Sequence, residues 1–200
     1  MKKWILPAAL IVCAWYFMKT PPEIKNLHNP YTAVVAFGDS LTAGYGAPKG
    51  ASYPDVLAKK LGRPVINLGL SGDTAVNAPT RLPDVLAHRP HIVLIEFGAN
   101  DYMRGMSCEE AVRAVAQMVE AVQNAGAVAV IVDTGGPGMG EYTKAYQRLA
   151  EEKGAVFVPA ILKGIFHDRR YKSDMVHPNA AGYEKVAEKV YKAIKPYVKQ

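Results

Sequence analysis

Between residues 90 and 98 the chain reads Pro-His-Ile-Val-Leu-Ile-Glu-Phe-Gly, and the Ile92-Val93-Leu94-Ile95 core of that run is apolar on both alternating positions. A strand with one wet face would alternate, so this pattern requires cover on both sides, which is what a parallel sheet flanked by helices supplies. Similar short runs recur at Thr32 to Phe37, Val65 to Leu68, Ala127 to Val132 and Ala155 to Val158. Stretches with helical spacing separate them: Tyr53 to Leu61, Thr80 to Ala87, Cys108 to Ala125 and Glu141 to Lys153, then Asn179 to Val198 at the end. In the last, Tyr183, Val186, Ala187, Val190, Tyr191, Ile194 and Val198 form a stripe at three- and four-residue intervals. Ser107 followed by Glu110 predicts a capping box at a helix start. The expected class is α/β, with five strands in one parallel sheet.

Two hundred residues suit one such domain. The formal charge of +6 does not point to nucleic acid. Residues 1 to 30 carry four lysines and one glutamate, leaving 20 basic against 17 acidic residues in the rest, without a zinc-finger or RNA-binding aromatic signature. No nucleic-acid partner is expected. Two cysteines, Cys13 and Cys108, cannot frame a disulfide network or a cysteine zinc site, and neither a His-Glu-x-x-His string nor an Asp-rich calcium loop occurs. No metal and no cofactor are expected.

The start of the chain follows a different logic. Lys2 and Lys3 precede an uncharged stretch from Trp4 to Met18, closed by Lys19 and Pro21-Pro22. That layout fits an export signal or a membrane anchor. Its 15 residues fall short of the roughly 20 that cross a bilayer squarely, although snorkelling lysines narrow the gap. The aromatic Trp15-Tyr16-Phe17 end favours an uncleaved anchor over a processed signal. Residues 1–20 are therefore read as signal or anchor, 21–30 as a linker and 31–200 as the domain. The expected location is extracytoplasmic, tethered to the membrane, with secretion after cleavage as the alternative.

In an open parallel sheet, ligands and reacting groups gather beyond the carboxyl ends of the strands. After the first strand comes Gly38-Asp39-Ser40-Leu41-Thr42-Ala43-Gly44, where a serine at a helix start can face the cleft. It is not a Gly-x-Ser-x-Gly elbow, because position 42 is Thr. A serine hydroxyl needs a base, usually a histidine oriented by a carboxylate. Of five histidines, His28 lies in the linker, His88 and His91 sit at the amino end of the third strand, and His167 lies in a charged loop. His177 follows Asp174 by three residues just before the last helix, a spacing that lets the carboxylate reach Nδ1 and leaves Nε2 for Ser40. Donors for a developing oxyanion could come from Gly72, after the second strand, and from the Asn100 amide, after the third.

Together these blocks strongly resemble the SGNH hydrolases, also called GDSL esterases and lipases, over residues 32 to 197. The matching pieces are Gly38-Asp39-Ser40-Leu41, Gly72, Gly98-x-Asn100-Asp101 and Asp174-x-x-His177-Pro178. The resemblance implies a flavodoxin-like three-layer α/β/α fold, Ser40 as nucleophile, His177 as general base and then acid, and Asp174 orienting it. It also implies an oxyanion hole from the Ser40 and Gly72 N–H groups and the Asn100 side chain. Ala43-Gly44-Tyr45-Gly46, Ser71-Gly72-Asp73-Thr74 and Asn100-Asp101-x-x-Arg104-Gly105 look most like the small bacterial periplasmic thioesterase/lysophospholipase and arylesterase branch.

The implied activity is hydrolysis of small acyl esters through an acyl-enzyme, without a cofactor. An O-acetylesterase of cell-envelope glycans is the alternative within hydrolases. A non-catalytic flavodoxin-like nucleotide or phosphate binder, using Gly38 to Gly46 as an anion loop, is the alternative from another class. Met175 stands where the family often has Gly; of the two roles open to it, narrowing the pocket or packing against the last helix, packing is expected. The glycine-rich segment 135–140 is a candidate mobile wall of the acyl pocket. Cys108, at a helix start, is a weaker nucleophile candidate, and Asp39 and Asp101 are expected to brace loops.

Overall fold

The computed structural model describes residues 23–199. The anchor expected at residues 1–20 lies outside the described residues, as does Cys13. Among the described residues no helix is long and apolar enough to cross a membrane.

Five strands form a single parallel sheet: β1 Ala33–Gly38, β2 Val65–Gly69, β3 Pro90–Glu96, β4 Val128–Val132 and β5 Val156–Val158. Their order is β2-β1-β3-β4-β5. The helices are α1 Ser40–Ala43, α2 Tyr53–Leu61, α3 Leu82–Ala87, α4 Ala99–Met103, α5 Cys108–Asn124, α6 Gly140–Lys153 and α7 Ala180–Ile194. The strands expected from the apolar runs are all present, and their alternation sorts the core into two layers. Val35, Phe37, Val93, Ile95 and Ile131 point to one side, where α5 and α6 lie. Val34, Ala36, Ile92, Leu94, Val128 and Val130 point to the other, under α2 and α7. Full burial of one Val, Leu or Ile side chain contributes roughly 1.5–3 kcal/mol, so a sheet covered on both faces forms a single cooperative core.

Three helical expectations are refined. The Thr80 to Ala87 stretch splits into a 3-10 turn, Ala78–Arg81, followed by α3, each with a proline in its first turn. The last helix ends at Ile194, and a 3-10 turn Lys195–Tyr197 carrying Pro196 follows it. Ser107 is the N-cap of α5, but its side chain makes no capping bond, so the capping box expected with Glu110 does not form. Glu109 and Glu110 instead place negative charge in the first turn, where the helix dipole favours it. The same box does form at Ser52 and Asp55 at the start of α2.

The described part of the linker is held against the domain. The Lys25 N–H donates to the Gly154 carbonyl, and the Asn26 amide donates to the Gln123 and Ala127 carbonyls. Asn29 donates to the His91 carbonyl. These contacts all lie at the amino ends of β3, β4 and β5.

Candidate active site

The sheet order reverses between β1 and β3, since one crossover runs out to β2 and the next returns past β1. A cleft opens beyond the carboxyl ends at such a switch point. Ser40 follows β1 and Asn100 follows β3, so the topology alone places them on facing banks. Gly38 ends β1 because nothing larger fits there: a Cβ would lie 2.1 Å from Thr42 Oγ1 and 2.7 Å from the Glu96 carbonyl oxygen. Asp39 then caps α1, its Oδ1 accepting from the Leu41 N–H at 2.9 Å, and Ser40 is the first residue of the helix.

The segment 172–179 brings in the other two groups. Lys172 bridges to Pro178, Ser173 N–H donates to the His177 carbonyl, and Asn179 caps α7. Within that turn Asp174 Oδ1 accepts the Val176 and His177 N–H groups, both at 2.8 Å. Its Oδ2 lies 2.8 Å from His177 Nδ1, and His177 Nε2 lies 3.0 Å from Ser40 Oγ. The three residues singled out from sequence are thus in line. Burial acts to raise the Asp174 carboxyl, but the two backbone N–H bonds and the His177 contacts outweigh it and bring it down to about 2. The Tyr45 ring lies 4.5 Å from the His177 ring and restrains its tilt.

Neither the Ser40 nor the Gly72 backbone N–H has an acceptor among the described residues. Gly72 sits at φ +81°, a conformation that disfavours any side chain, in a loop fixed from several sides. Arg104 donates to its carbonyl oxygen, Arg81 grips the Asp73 carboxylate, and Asp101 accepts from the Ala75 and Val76 N–H groups. Asp101 and Asp39 therefore brace loops, as expected. The Asn100 amide donates to Asp39 Oδ2 at 3.0 Å and to the Asp73 carbonyl at 2.9 Å. Both its hydrogens are engaged at rest, so donation to a bound oxygen requires the Asp73 bond to be shared or exchanged.

The cleft over Ser40 encloses about 590 Å³, counting the space at its open mouth. Leu41, Tyr102, Met103, Met139, Leu162 and Phe166 give it apolar walls. Gly136 and Pro137 join them, so the glycine-rich segment does form a wall. Met175 is a correction. Its side chain is 83% exposed and absent from the cleft lining, because the two backbone bonds to Asp174 fix the turn with residue 175 facing outward. Cys108 is also no nucleophile in waiting: burial, then the nearby Glu141, push its thiol up.

Sequence reasoning missed Arg81 and Glu96. Arg81 also reaches the Leu68 and Gly38 carbonyls, tying the oxyanion-side loop to the β1 end. Glu96 lies fully buried at the end of β3 and accepts from the Thr42 and Thr134 hydroxyls. The available signal was an acid closing an otherwise apolar strand. Among the described residues, no cluster of His, Cys, Asp and Glu could hold a metal ion.

Comparison with known proteins shows the family. The model of the GDSL-like Lipase/Acylhydrolase family matches residues 36–185. An arylesterase from Vibrio mimicus is 32% identical over 168 residues, covering 78% of this chain and 84% of that protein. Thioesterase 1/protease 1/lysophospholipase L1 of Escherichia coli (strain K12) is 29% identical over 175 residues, covering 82% and 84%. The crystal structure of TesA superposes with a TM-score of 0.78 at 28% identity, covering 82% of this chain and 99% of that one.

Proposed function

Because this chain belongs to the GDSL-like lipase/acylhydrolase family and is a carboxylic ester hydrolase of the serine type, we propose that Ser40 is its nucleophile, His177 its general base and acid, and Asp174 the group that orients His177. The observation that carries this assignment is the unbroken line from Asp174 Oδ2 through the imidazole to Ser40 Oγ, at 2.8 and 3.0 Å.

The chemistry follows from that line. Asp174 accepts a hydrogen bond from His177 Nδ1–H, which fixes the tautomer and leaves Nε2 with a lone pair toward Ser40. As Oγ attacks the acyl carbon, its proton passes to Nε2, and the imidazolium is stabilised by the ionised Asp174. The carbonyl π pair moves onto oxygen, where the Ser40 and Gly72 N–H groups and the Asn100 amide can meet the charge. Collapse expels the alcohol or thiol, which takes the proton from Nε2. Water then repeats the sequence on the acyl-enzyme, releasing the acid and restoring Ser40.

The apolar cleft favours the acyl part of the substrate, and the names of the relatives point to aryl, lysophospholipid or thioester leaving groups. The anion-loop reading of Gly38 to Gly46 has the wrong electrostatics: the buried Asp39 carboxyl caps α1, where a phosphate would need to sit, and α1 is four residues long. If residues 1–20 are an uncleaved anchor, the chain leaves it at the amino ends of the strands. The cleft opens at the opposite edge of the sheet, and the expected compartment is extracytoplasmic.

Kinetics on p-nitrophenyl esters of rising acyl length test the assignment. Ser40→Ala and His177→Ala are each expected to lose at least ~1000-fold in kcat with the thermal transition retained. Wild-type turnover by either variant refutes it.

A further inference from the structure

Behind Ser40 lies a second pair of carboxyls that the mechanism above does not use. Glu96, at the end of β3, has no solvent exposure, and Asp39 has almost none. Among the described residues no Lys or Arg hydrogen-bonds or ion-pairs with either one; Arg81, which reaches the Gly38 carbonyl, is spent on Asp73 and on backbone carbonyls. Each of the four oxygens has a donor from elsewhere. Thr134 Oγ1 donates to Glu96 Oε1 at 3.2 Å, Leu41 N–H to Asp39 Oδ1, and Asn100 Nδ2 to Asp39 Oδ2. Thr42 Oγ1 donates to Glu96 Oε2 at 2.9 Å and lies 3.1 Å from the Tyr53 hydroxyl, so Tyr53 can supply its hydrogen to Thr42. Gly38 pairs with Glu96 across β1 and β3, so Asp39, the next residue, sets its carboxyl beside that of Glu96, and the two share a hydrogen bond. Two buried carboxyls in contact, without a cation, do not both ionise near neutral pH; one keeps its proton and donates to the other.

We propose that Glu96 is a positioning residue: as a carboxylic acid it donates a hydrogen bond to the Asp39 carboxylate, and that carboxylate aims the Asn100 amide and caps the helix that begins at Ser40. The inference rests on the reading of Ser40 and Asn100 given above. The proton stays on Glu96 because both Asp39 oxygens face N–H donors, which cannot reverse, whereas the partners of Glu96 are hydroxyls, which can accept as well as donate. Burial and then the Asp39 charge push Glu96 well above the usual carboxylate range, while Thr42 and Thr134 offset this only in part. Burial raises Asp39, the Leu41 N–H, the Glu96 bond and the His177 ring oppose it, Asp101 adds to it, and the net value is about 6. The remaining titratable groups facing the pair are Tyr53 from α2 and Tyr183 from α7, both pushed up by burial and kept neutral. The state with ionised Asp39 and acidic Glu96 gives the Asn100 amide a charged acceptor, and charged acceptors fix donor direction more strongly than neutral ones.

The test compares Glu96→Gln, whose amide can still donate to Asp39, with Glu96→Met, which fills similar space and donates nothing. Without the donor, Asp39 binds its proton more tightly. In Glu96→Met the acid limb of kcat is expected to move up by about one pH unit, so that kcat is lower by ~10-fold near pH 5 and by ~2-fold at pH 7. KM for a short p-nitrophenyl ester changes less than threefold, and kcat recovers toward wild type as the pH is raised. Glu96→Gln is expected to keep the wild-type profile. A separate infrared measurement at neutral pH is expected to show a protonated carboxylic acid band in the wild type that Glu96→Gln lacks.

A Glu96→Met profile that superimposes on the wild type after scaling, a Glu96→Gln variant as impaired as Glu96→Met, or absence of the infrared band each overturns the proposal. Labelling Ser40 with a serine-directed phosphonate in the same preparations separates the two claims. A labelled wild type with an unshifted Glu96→Met profile removes the role of Glu96 alone. An unlabelled Ser40 removes the site reading, and this inference with it.

Discussion

Replacing Asp174 by Asn tests how the carboxylate works, because the surrounding hydrogen bonds dictate how an amide must sit. In the wild type Oδ1 accepts two backbone N–H groups at 2.8 Å each, from Val176 and His177. An Asn side chain can satisfy these only with its carbonyl oxygen, so its NH₂ turns toward His177 Nδ1, 2.8 Å from the former Oδ2. That nitrogen must then act as an acceptor, and the ring proton moves to Nε2, facing Ser40 Oγ. A protonated Nε2 cannot take the serine proton. The geometry is preserved and the tautomer is wrong, a situation that costs about 10⁴-fold in kcat in the serine protease template. At 1.36 kcal/mol per factor of ten, this is about 5.4 kcal/mol of barrier. Asp174→Ala removes the orienting bond without imposing a tautomer, and is expected to be no more damaging than Asp174→Asn despite its larger deletion. The assay is steady-state hydrolysis of a short p-nitrophenyl ester, with ¹⁵N NMR of the His177 ring reporting which nitrogen carries hydrogen. Retention of more than a tenth of wild-type kcat by Asp174→Asn, or a ring still protonated at Nδ1, would refute the reasoning.

Two further outcomes concern stability. The Tyr146 hydroxyl is buried with no hydrogen-bond partner among the described residues, so Tyr146→Phe is expected to stabilise the fold by ~1 kcal/mol; destabilisation in urea titration would show that the hydroxyl has a partner. His91 is buried near the end of α7, with one ring nitrogen bonded to the Tyr197 carbonyl and the other unpartnered. Burial lowers its pKa, although the Tyr197 bond opposes this. A lowered folded value means that its contribution is complete above about pH 6.5, the unfolded value, and is lost as the pH falls below it through the folded value. Urea midpoints between pH 7.5 and 5 should therefore fall less steeply for His91→Gln than for the wild type, and equal slopes would contradict this.

Sheet and site were legible where local pattern and tertiary role coincide. The strands carry uninterrupted β-branched runs because they are covered on both faces, and Asp174 and His177 share one turn, so their spacing is itself the geometry. Glu96 illustrates the opposite case. Its environment is assembled from two distant segments, Asp39 and Thr42 at the start of α1 and Thr134 after β4, and nothing next to residue 96 announces them. Arg81 is similar, since a lone arginine before a short helix looks like solvated charge until the loop carrying Asp73 folds over it. Helix α4 escaped notice because five residues hold too little periodicity. Ser107-x-x-Glu110 and Ser52-x-x-Asp55 both carry a capping pattern, and only the second makes the bonds. Met175 was expected to pack because a methionine usually does, whereas the Asp174 turn points it into solvent.

The most direct measurement of the central claim is peptide mass spectrometry of the protein after inactivation by a serine-directed alkyl phosphonate. A single adduct on Ser40, formed in parallel with loss of esterase activity and absent in His177→Ala, is the predicted result. Full inactivation with the adduct on another residue, or activity that survives complete modification of Ser40, would contradict it.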